Sequence, residues 1–167
     1  MKLLPPHYST LPNQLKTAIS KARHSHKLVP KFENIFSGIS LSNRPKVVVF
    51  TAEPVSPDKR LVSEGVIYLS WIMTGELTNR GFRWHYGIGW EGVTEQFLKD
   101  VDKEYSSLVY ILVGEVPASI YHRCFSSSLK NLVIECPDLS CLTADDYDDI
   151  NDWLRRKFDT ELDLTDV

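Results

Sequence analysis

The chain is poor in the residues that staple a small fold. It has three cysteines in 167 residues, Cys124, Cys136 and Cys141. An odd count with no Cys-x-x-Cys pair excludes a disulfide framework, and free thiols in a reducing compartment are the plain reading. Cys136 and Cys141 have no histidine nearby in sequence, so the spacing of a zinc site is missing as well. No apolar run approaches the roughly 18 residues that a membrane span requires. The opening Met1-Lys2-Leu3-Leu4 is cut short by Pro5-Pro6, so it lacks the apolar core of a signal peptide. A cytoplasmic protein with no membrane contact is expected. No P-loop and no His-Glu-x-x-His is present, and Ser126-Ser127-Ser128 lacks the flanking glycines of a nucleophile elbow. No cofactor is called for.

Excess positive charge is also missing. The formal net charge is −3 and the pI about 5.9. Phosphate neutralisation supplies most of the affinity of a general nucleic-acid binder, so the totals make direct nucleic-acid binding unexpected. The distribution is uneven, however. Residues 1–45 carry seven Lys/Arg against one acid, Glu33, and the remainder carries a large acidic surplus.

What is present is the composition of an ordinary globular protein, 43% hydrophobic and 25% charged. Five of the nine prolines fall in residues 1–45, and the first buried-strand pattern starts after Pro45. Residues 1–45 therefore read as a basic N-terminal arm with one helix, from about Pro12 to His26, whose Leu15, Ala18, Ile19 and Ala22 share a face. Residues 46–167 read as a single α/β domain. Val47-Val48-Val49-Phe50, Leu108 to Val113 and Leu132-Val133-Ile134 are continuous apolar runs, the mark of strands buried on both faces in a parallel sheet. Helical spacings lie between and after them, opening at Pro57-Asp58, near Val93, at Pro117 and at Thr143. The fold class expected is α/β, a mainly parallel sheet of three to five strands with flanking helices. Val66 to Met73 is apolar all round; the start signal at Pro57-Asp58 favours a helix there, and a strand forming a hairpin with 82–90 through Asn79-Arg80-Gly81 is the alternative. Residues 82–90 alternate, with Phe82, Trp84, Tyr86, Ile88 and Trp90 on one side, as in a half-buried edge strand. Arg83 and His85 on its other side form a possible anion-binding pair.

Three features carry candidate chemistry. Gly87, Gly89 and Gly92 spell G-x-G-x-x-G between a predicted strand and a predicted helix, the order of a dinucleotide fingerprint. Against it stand the polar side of the preceding strand and Glu91, which places negative charge where a phosphate would sit. Second, each of the three buried runs is followed by a glutamate and a proline, giving Glu53, Glu115 and Glu135. If the strands are parallel, the three carboxylates share the edge where α/β sheets bind ligands, and could grip ribose, hold a metal or do acid–base work. A Glu before a Pro is equally an ordinary loop entry. Third, Asp145, Asp146, Asp148, Asp149 and Asp152 lie within eight residues, ahead of Arg155-Arg156-Lys157. The helix dipole accounts for the first two acids but not for the later ones.

Two functions follow as expectations. The leading one is a protein-binding inhibitor of the immunity-protein type, not an enzyme, docking its acidic C-terminal helix onto the basic cleft of a partner such as a nuclease toxin. Asp145, Asp148, Asp149 and Asp152 would supply the charge, and Tyr147 or Trp153 an aromatic anchor. The alternative is a small nucleotide-handling enzyme, with Gly87, Gly89 and Gly92 on phosphate and Glu53, Glu115 or Glu135 doing the chemistry.

Overall fold

The apolar runs become neighbouring strands because each has two greasy faces to cover. In the computed structural model, which describes residues 3–125, 130–165 and 167, the elements in chain order are α1 (Asn13–His24), β1 (Leu28–Val29), β2 (Val47–Thr51), α2 (Lys59–Ser63), β3 (Val66–Ser70), β4 (Gly75–Thr78), β5 (Gly81–Trp84), α3 (Trp90–Glu104), β6 (Val109–Val113), α4 (Glu115–Cys124), β7 (Leu132–Cys136) and α5 (Ala144–Phe158). The Ser126–Ser128 run lies outside the described residues. Strands β3, β2, β6 and β7 form a parallel sheet in that order, with Val47 opposite both Val66 and Val109. The α/β class with a four-stranded parallel sheet is thus as the sequence led us to expect.

The sheet is covered on both sides, which makes three layers. Val48, Phe50, Ile67, Leu69, Tyr110 and Leu112 pack with Leu15 and Ile19 of α1, Phe97, Leu98 and Val101 of α3, and Ile120 and Tyr121 of α4. Their sequence neighbours Val47, Val49, Val66, Tyr68, Val109 and Ile111 face the other way, onto Leu61 of α2 and Ile150 and Leu154 of α5. Helix α1 belongs to the core, since Leu15, Ile19 and Ala22 are wholly buried. No helix among the described residues is long and apolar enough to cross a membrane.

Residues 66–70 are a strand, not the helix expected. β3 is the edge of the parallel sheet yet buried at every position, because helices cover both faces and the 35–39 segment covers its open edge. Such burial erases the alternation that would have marked it as a strand. The hairpin exists but is built by β4 and β5, which join β1 in a separate antiparallel sheet of order β1-β4-β5. Regular strand structure ends at Trp84, and the chain then turns through residues 85–89 into α3.

Candidate active-site cleft

A cleft of about 360 Å³ opens at the carboxyl ends of β2 and β3, the place where open α/β sheets take their ligands. Three segments far apart in sequence build it. Its floor is Thr51, Leu69, Ser70 and Met73; one wall is the β2–α2 connection, Pro54 to Pro57 with Lys59; the other is the stretch from Val29 and Pro30 to Gly38; Trp84 stands beside them. Thr51 and Ser70 are opposed in register as the first polar residues ending two apolar strands. The β2–α2 connection is tightened at both ends. Thr51 Oγ1 donates to the Glu53 carbonyl at 2.7 Å, and the Asp58 carboxylate caps α2 through the amides of Arg60 and Leu61. The 35–39 segment docks on the edge of β3 through the amide of Tyr68, which donates to the Gly38 carbonyl at 2.8 Å. A Cβ at Gly38 would lie 2.8 Å from that of Tyr68, so this approach requires glycine.

The lining combines apolar faces (Val29, Pro30, Ile35, Leu69, Met73, Trp84) with neutral hydrogen-bonding groups (Asn34, Ser37, Ser56, Ser70). Among the described residues that line it, Lys59 is the one charged side chain and none is a carboxylate. Such a site suits a small, mostly neutral ligand held by a few hydrogen bonds. Glu53 falls between the lining residues Thr51 and Pro54, and its carboxylate accepts a hydrogen bond from the Tyr86 hydroxyl at 3.3 Å. Burial and the Glu53 charge together push the Tyr86 hydroxyl pKa up, so the phenol stays protonated and donates. The bond ties the turn after β5 to the end of β2.

The glycine motif is not a dinucleotide fingerprint. The strand before it, β5, belongs to the small antiparallel sheet rather than to the parallel one. The Glu91 carboxylate already takes the Gly87 amide at 2.7 Å, where a phosphate would have to sit. Gly89 has φ of 135° and faces Pro12, whose Cγ would be 2.8 Å from an added Cβ; this glycine serves packing. Gly92 and Gly89 border a groove beside the N-terminal prolines. Nor do Arg83 and His85 form an exposed pair. Arg83 bonds to Glu76, and His85 is buried with Nδ1 2.8 Å from Thr74 Oγ1. The strand-end glutamates do share a sheet edge, as parallel strands require, but they find different partners. Glu135 bonds to His122 and, with Glu115, borders a shallow cavity at Cys136; Glu53 bonds to Tyr86. Among the described residues no group of three or more His, Cys, Asp or Glu is placed to hold a metal. Burial, with Asp146 nearby, pushes the Cys136 thiol up to about 11, which leaves it inert.

Two aspartates of the acidic helix have partners within the fold. Asp146 and Thr143 form a reciprocal capping box, and Asp152 bonds to Arg155. Asp145, Asp148 and Asp149 are exposed. Both proposed anchors are used internally. Trp153 donates its indole N–H to the Ser107 carbonyl at 2.7 Å and lies beneath Arg156 and Lys157, while Tyr147 packs beside the α5 core. Sequence reasoning missed Lys59, Ser70, Asn34 and Trp84. The one signal available was the pair of polar residues, Thr51 and Ser70, that ends two apolar runs.

No family model matches the chain. Two curated proteins do, the uracil-DNA glycosylases of two strains of Borreliella burgdorferi, each 28% identical over 109 residues. The match covers 65% of this chain and 45% of theirs, so it spans less than half the length of those relatives. Among solved structures, mimivirus uracil-DNA glycosylase superposes with a TM-score of 0.66 at 13% identity, covering 89% of this chain and 79% of that one. A variant of the same enzyme in complex with UGI gives 0.67 at 14% identity, covering 93% and 82%. The fold is that of a uracil-DNA glycosylase. This overturns the leading expectation. Both kinds of relative are DNA-directed enzymes by name, so the immunity-type inhibitor, the non-enzyme and the improbability of DNA contact are corrected together, and the nucleotide-handling alternative fits better. The error came from giving the acidic C-terminal helix and the overall charge more weight than the basic residues 1–45.

Proposed function

We propose that the chain is a DNA-directed base-handling enzyme of the glycosylase kind, and that the cleft between β2, β3 and the 29–38 segment receives one unstacked base. The observation that carries this reading is the lining itself: neutral hydrogen-bonding groups and apolar faces with Lys59 as the only charge, at the strand ends of a glycosylase fold. An extruded base is read by hydrogen bonds to its edge and by packing on its faces. Asn34, Ser37 and Ser70 serve the edge, Met73, Leu69 and Trp84 the faces, and Lys59 the adjoining phosphate. Glu53, which falls between the lining residues Thr51 and Pro54, is the carboxylate assigned to the chemistry, since the Asp58 carboxylate is engaged in capping α2. Glu53 accepts a proton from a water whose oxygen bonds to the sugar C1′ as the bond from C1′ to the base nitrogen breaks; the base leaves with the bonding pair and takes up a proton. A cytoplasmic setting belongs to this reading and is supported by three free thiols.

The test is base release from a uracil-containing single-stranded oligonucleotide, read as alkaline scission at the abasic site. Release by the full chain, reduced about 10²- to 10⁴-fold in Glu53→Gln, is the expected result. No release from uracil-containing DNA at any protein concentration overturns the glycosylase reading.

A further inference from the structure

Helix α1 ends on a cavity that base handling does not use. It measures about 310 Å³ and is lined by Arg23 and His26 from the end of α1, Leu28 of β1, and Lys31, Phe32 and Glu33 beyond it. It shares no lining residue with the cleft, yet one stretch of chain serves both. Val29, Pro30 and Asn34 line the cleft, while Leu28 and residues 31–33 line this cavity.

Local structure brings the basic groups in from two directions. Helix α1 closes in a Schellman turn: the Lys27 amide donates to the Ala22 carbonyl at 2.9 Å and the His26 amide to the Arg23 carbonyl at 3.1 Å. The turn requires one left-handed residue, where glycine is usual, and His26 takes it with φ of 58°. Lys31 and Phe32 arrive from the far side of β1, at the start of the 3-10 turn Phe32–Asn34. The guanidinium carbon of Arg23 lies 3.9 Å from the centre of the Phe32 ring, and Tyr8 packs edge-on against that ring with centroids 5.2 Å apart. Stacking occupies the face of a guanidinium and leaves its N–H edge to donate.

The helix dipole attracts cations to a C-terminus and accounts for Lys21, Arg23 and His24 alike. It accounts neither for Lys31, which follows β1, nor for the stack. Partners separate these groups further. Arg60, Arg83, Arg123 and Arg155 each meet a carboxylate. Among the described residues, the side-chain nitrogens of Arg23, His26 and Lys31 have no hydrogen-bond or ion-pair partner, and Glu33, the one acid in the lining, pairs with none of them. The donor set indicates the ligand. A carboxylate or an internal phosphodiester has two unesterified oxygens, and a guanidinium fork takes both. A terminal phosphate keeps a third for an imidazole N–H or an ammonium, and its double negative charge matches the two permanent cations, Arg23 and Lys31.

We propose that Arg23, His26 and Lys31 form a binding site for a terminal phosphate, separate from the cleft. Its carrier is a free nucleotide or the phosphorylated end of a strand. The site stands on its own residues and does not depend on the base-handling reading.

The experiment titrates the full chain with inorganic phosphate, thymidine 5′-monophosphate and thymidine at constant ionic strength, with acetate as the control anion and backbone amide shifts read by NMR. Saturable shifts at residues 22–33 with phosphate and the monophosphate, and none there with acetate or thymidine, are expected. Affinity falls at least about 10-fold in the Arg23→Gln, Lys31→Gln double variant with melting temperature unchanged. Lys31→Gln alone, which leaves the stack on Phe32 intact, lowers it about 3-fold to 10-fold. Acetate as effective as phosphate, phosphate shifts only elsewhere on the molecule, or a double variant within about twofold of the parent overturns the site. A 12-nucleotide thymidine strand with and without a 5′-phosphate identifies the carrier. Shifts at these residues that require the end phosphate support a strand end, and shifts with the monophosphate alone support a free nucleotide. Equal shifts with and without the end phosphate overturn the proposal by making the site an ordinary backbone contact. Base release enters none of these measurements, so the glycosylase reading stands or falls separately.

Discussion

Thr74 holds the base of the hairpin to the rest of the molecule, and its removal is measurable. Its side chain is fully buried. Trp90 of α3 donates its indole N–H to Thr74 Oγ1 at 2.7 Å, and Thr74 Oγ1 lies 2.8 Å from Nδ1 of the buried His85. The hydroxyl accepts from the indole and keeps its own proton to give, so a neutral imidazole with Nδ1 as acceptor completes the chain. Thr74 precedes β4 and His85 follows β5, so one hydroxyl closes the foot of the hairpin onto the start of α3. Thr74→Val preserves the volume and orphans two buried groups. Each orphan costs about 1–3 kcal/mol, for a total of about 2–6 kcal/mol. In a chain of this size that lowers Tm by roughly 5–20 °C. Thr74→Ser keeps the hydroxyl and loses one methyl, costing about 1 kcal/mol and a few degrees. Burial lowers the His85 pKa, with the Arg83 charge adding to the effect and Glu76 opposing it. The unfolded chain therefore takes up a proton below about pH 6.5 while the folded one does not. Stability is full above that pH and falls as pH drops toward the folded-state value, by at most about 1.4 kcal/mol per pH unit from this group. His85→Asn removes that contribution. Urea unfolding of the parent and the variants at pH 7.5 and pH 5.5 measures both effects. A Thr74→Val protein as stable as the parent, or a Thr74→Ser protein as weak as Thr74→Val, refutes the clamp; equal acid sensitivity in His85→Asn and the parent refutes the titration.

Two further perturbations test other parts of the account. Ile19→Ala, at a wholly buried site of α1, is expected to cost about 2–5 kcal/mol by denaturant unfolding, and a surface-like loss below about 0.5 kcal/mol would show that α1 is not part of the core. Lys59→Ala is expected to weaken binding to DNA of any sequence and to reduce the slope of log K against log salt by about one unit; an unchanged slope would remove Lys59 from the phosphate contacts.

The parallel sheet was legible because β2, β6 and β7 keep apolar runs of strand length between helical spacings. The order β3-β2-β6-β7 was not, since pairing is decided by which helix covers which face. β3 was misread for a definite reason: helices lie on both sides of it and the 35–39 segment on its edge, so no polar position punctuates Val66 to Leu69. The cleft was invisible for another. Its walls come from residues 29–38, 51–59 and 68–73, and its polar groups, Asn34, Ser37, Thr51, Ser56, Lys59, Tyr68 and Ser70, stand at spacings that form no motif. Of the glycines that did form one, Gly87 and Gly89 have a positive φ and Gly89 also meets Pro12, which are demands of the backbone, while Gly92 has open space around it.

Net charge misled for a reason that the layers make plain. Residues 1–45, with their surplus of six positive charges, supply α1 on one side of the sheet and a wall of the cleft. The acidic α5 packs against the opposite face. A sum of −3 averages two faces of the sheet that differ in charge. Screening limits each charge to about 8 Å at physiological ionic strength, less than the thickness of a sheet covered by helices on both faces. On the DNA-directed reading proposed above, repulsion from the exposed α5 aspartates would be confined to the face that α5 covers.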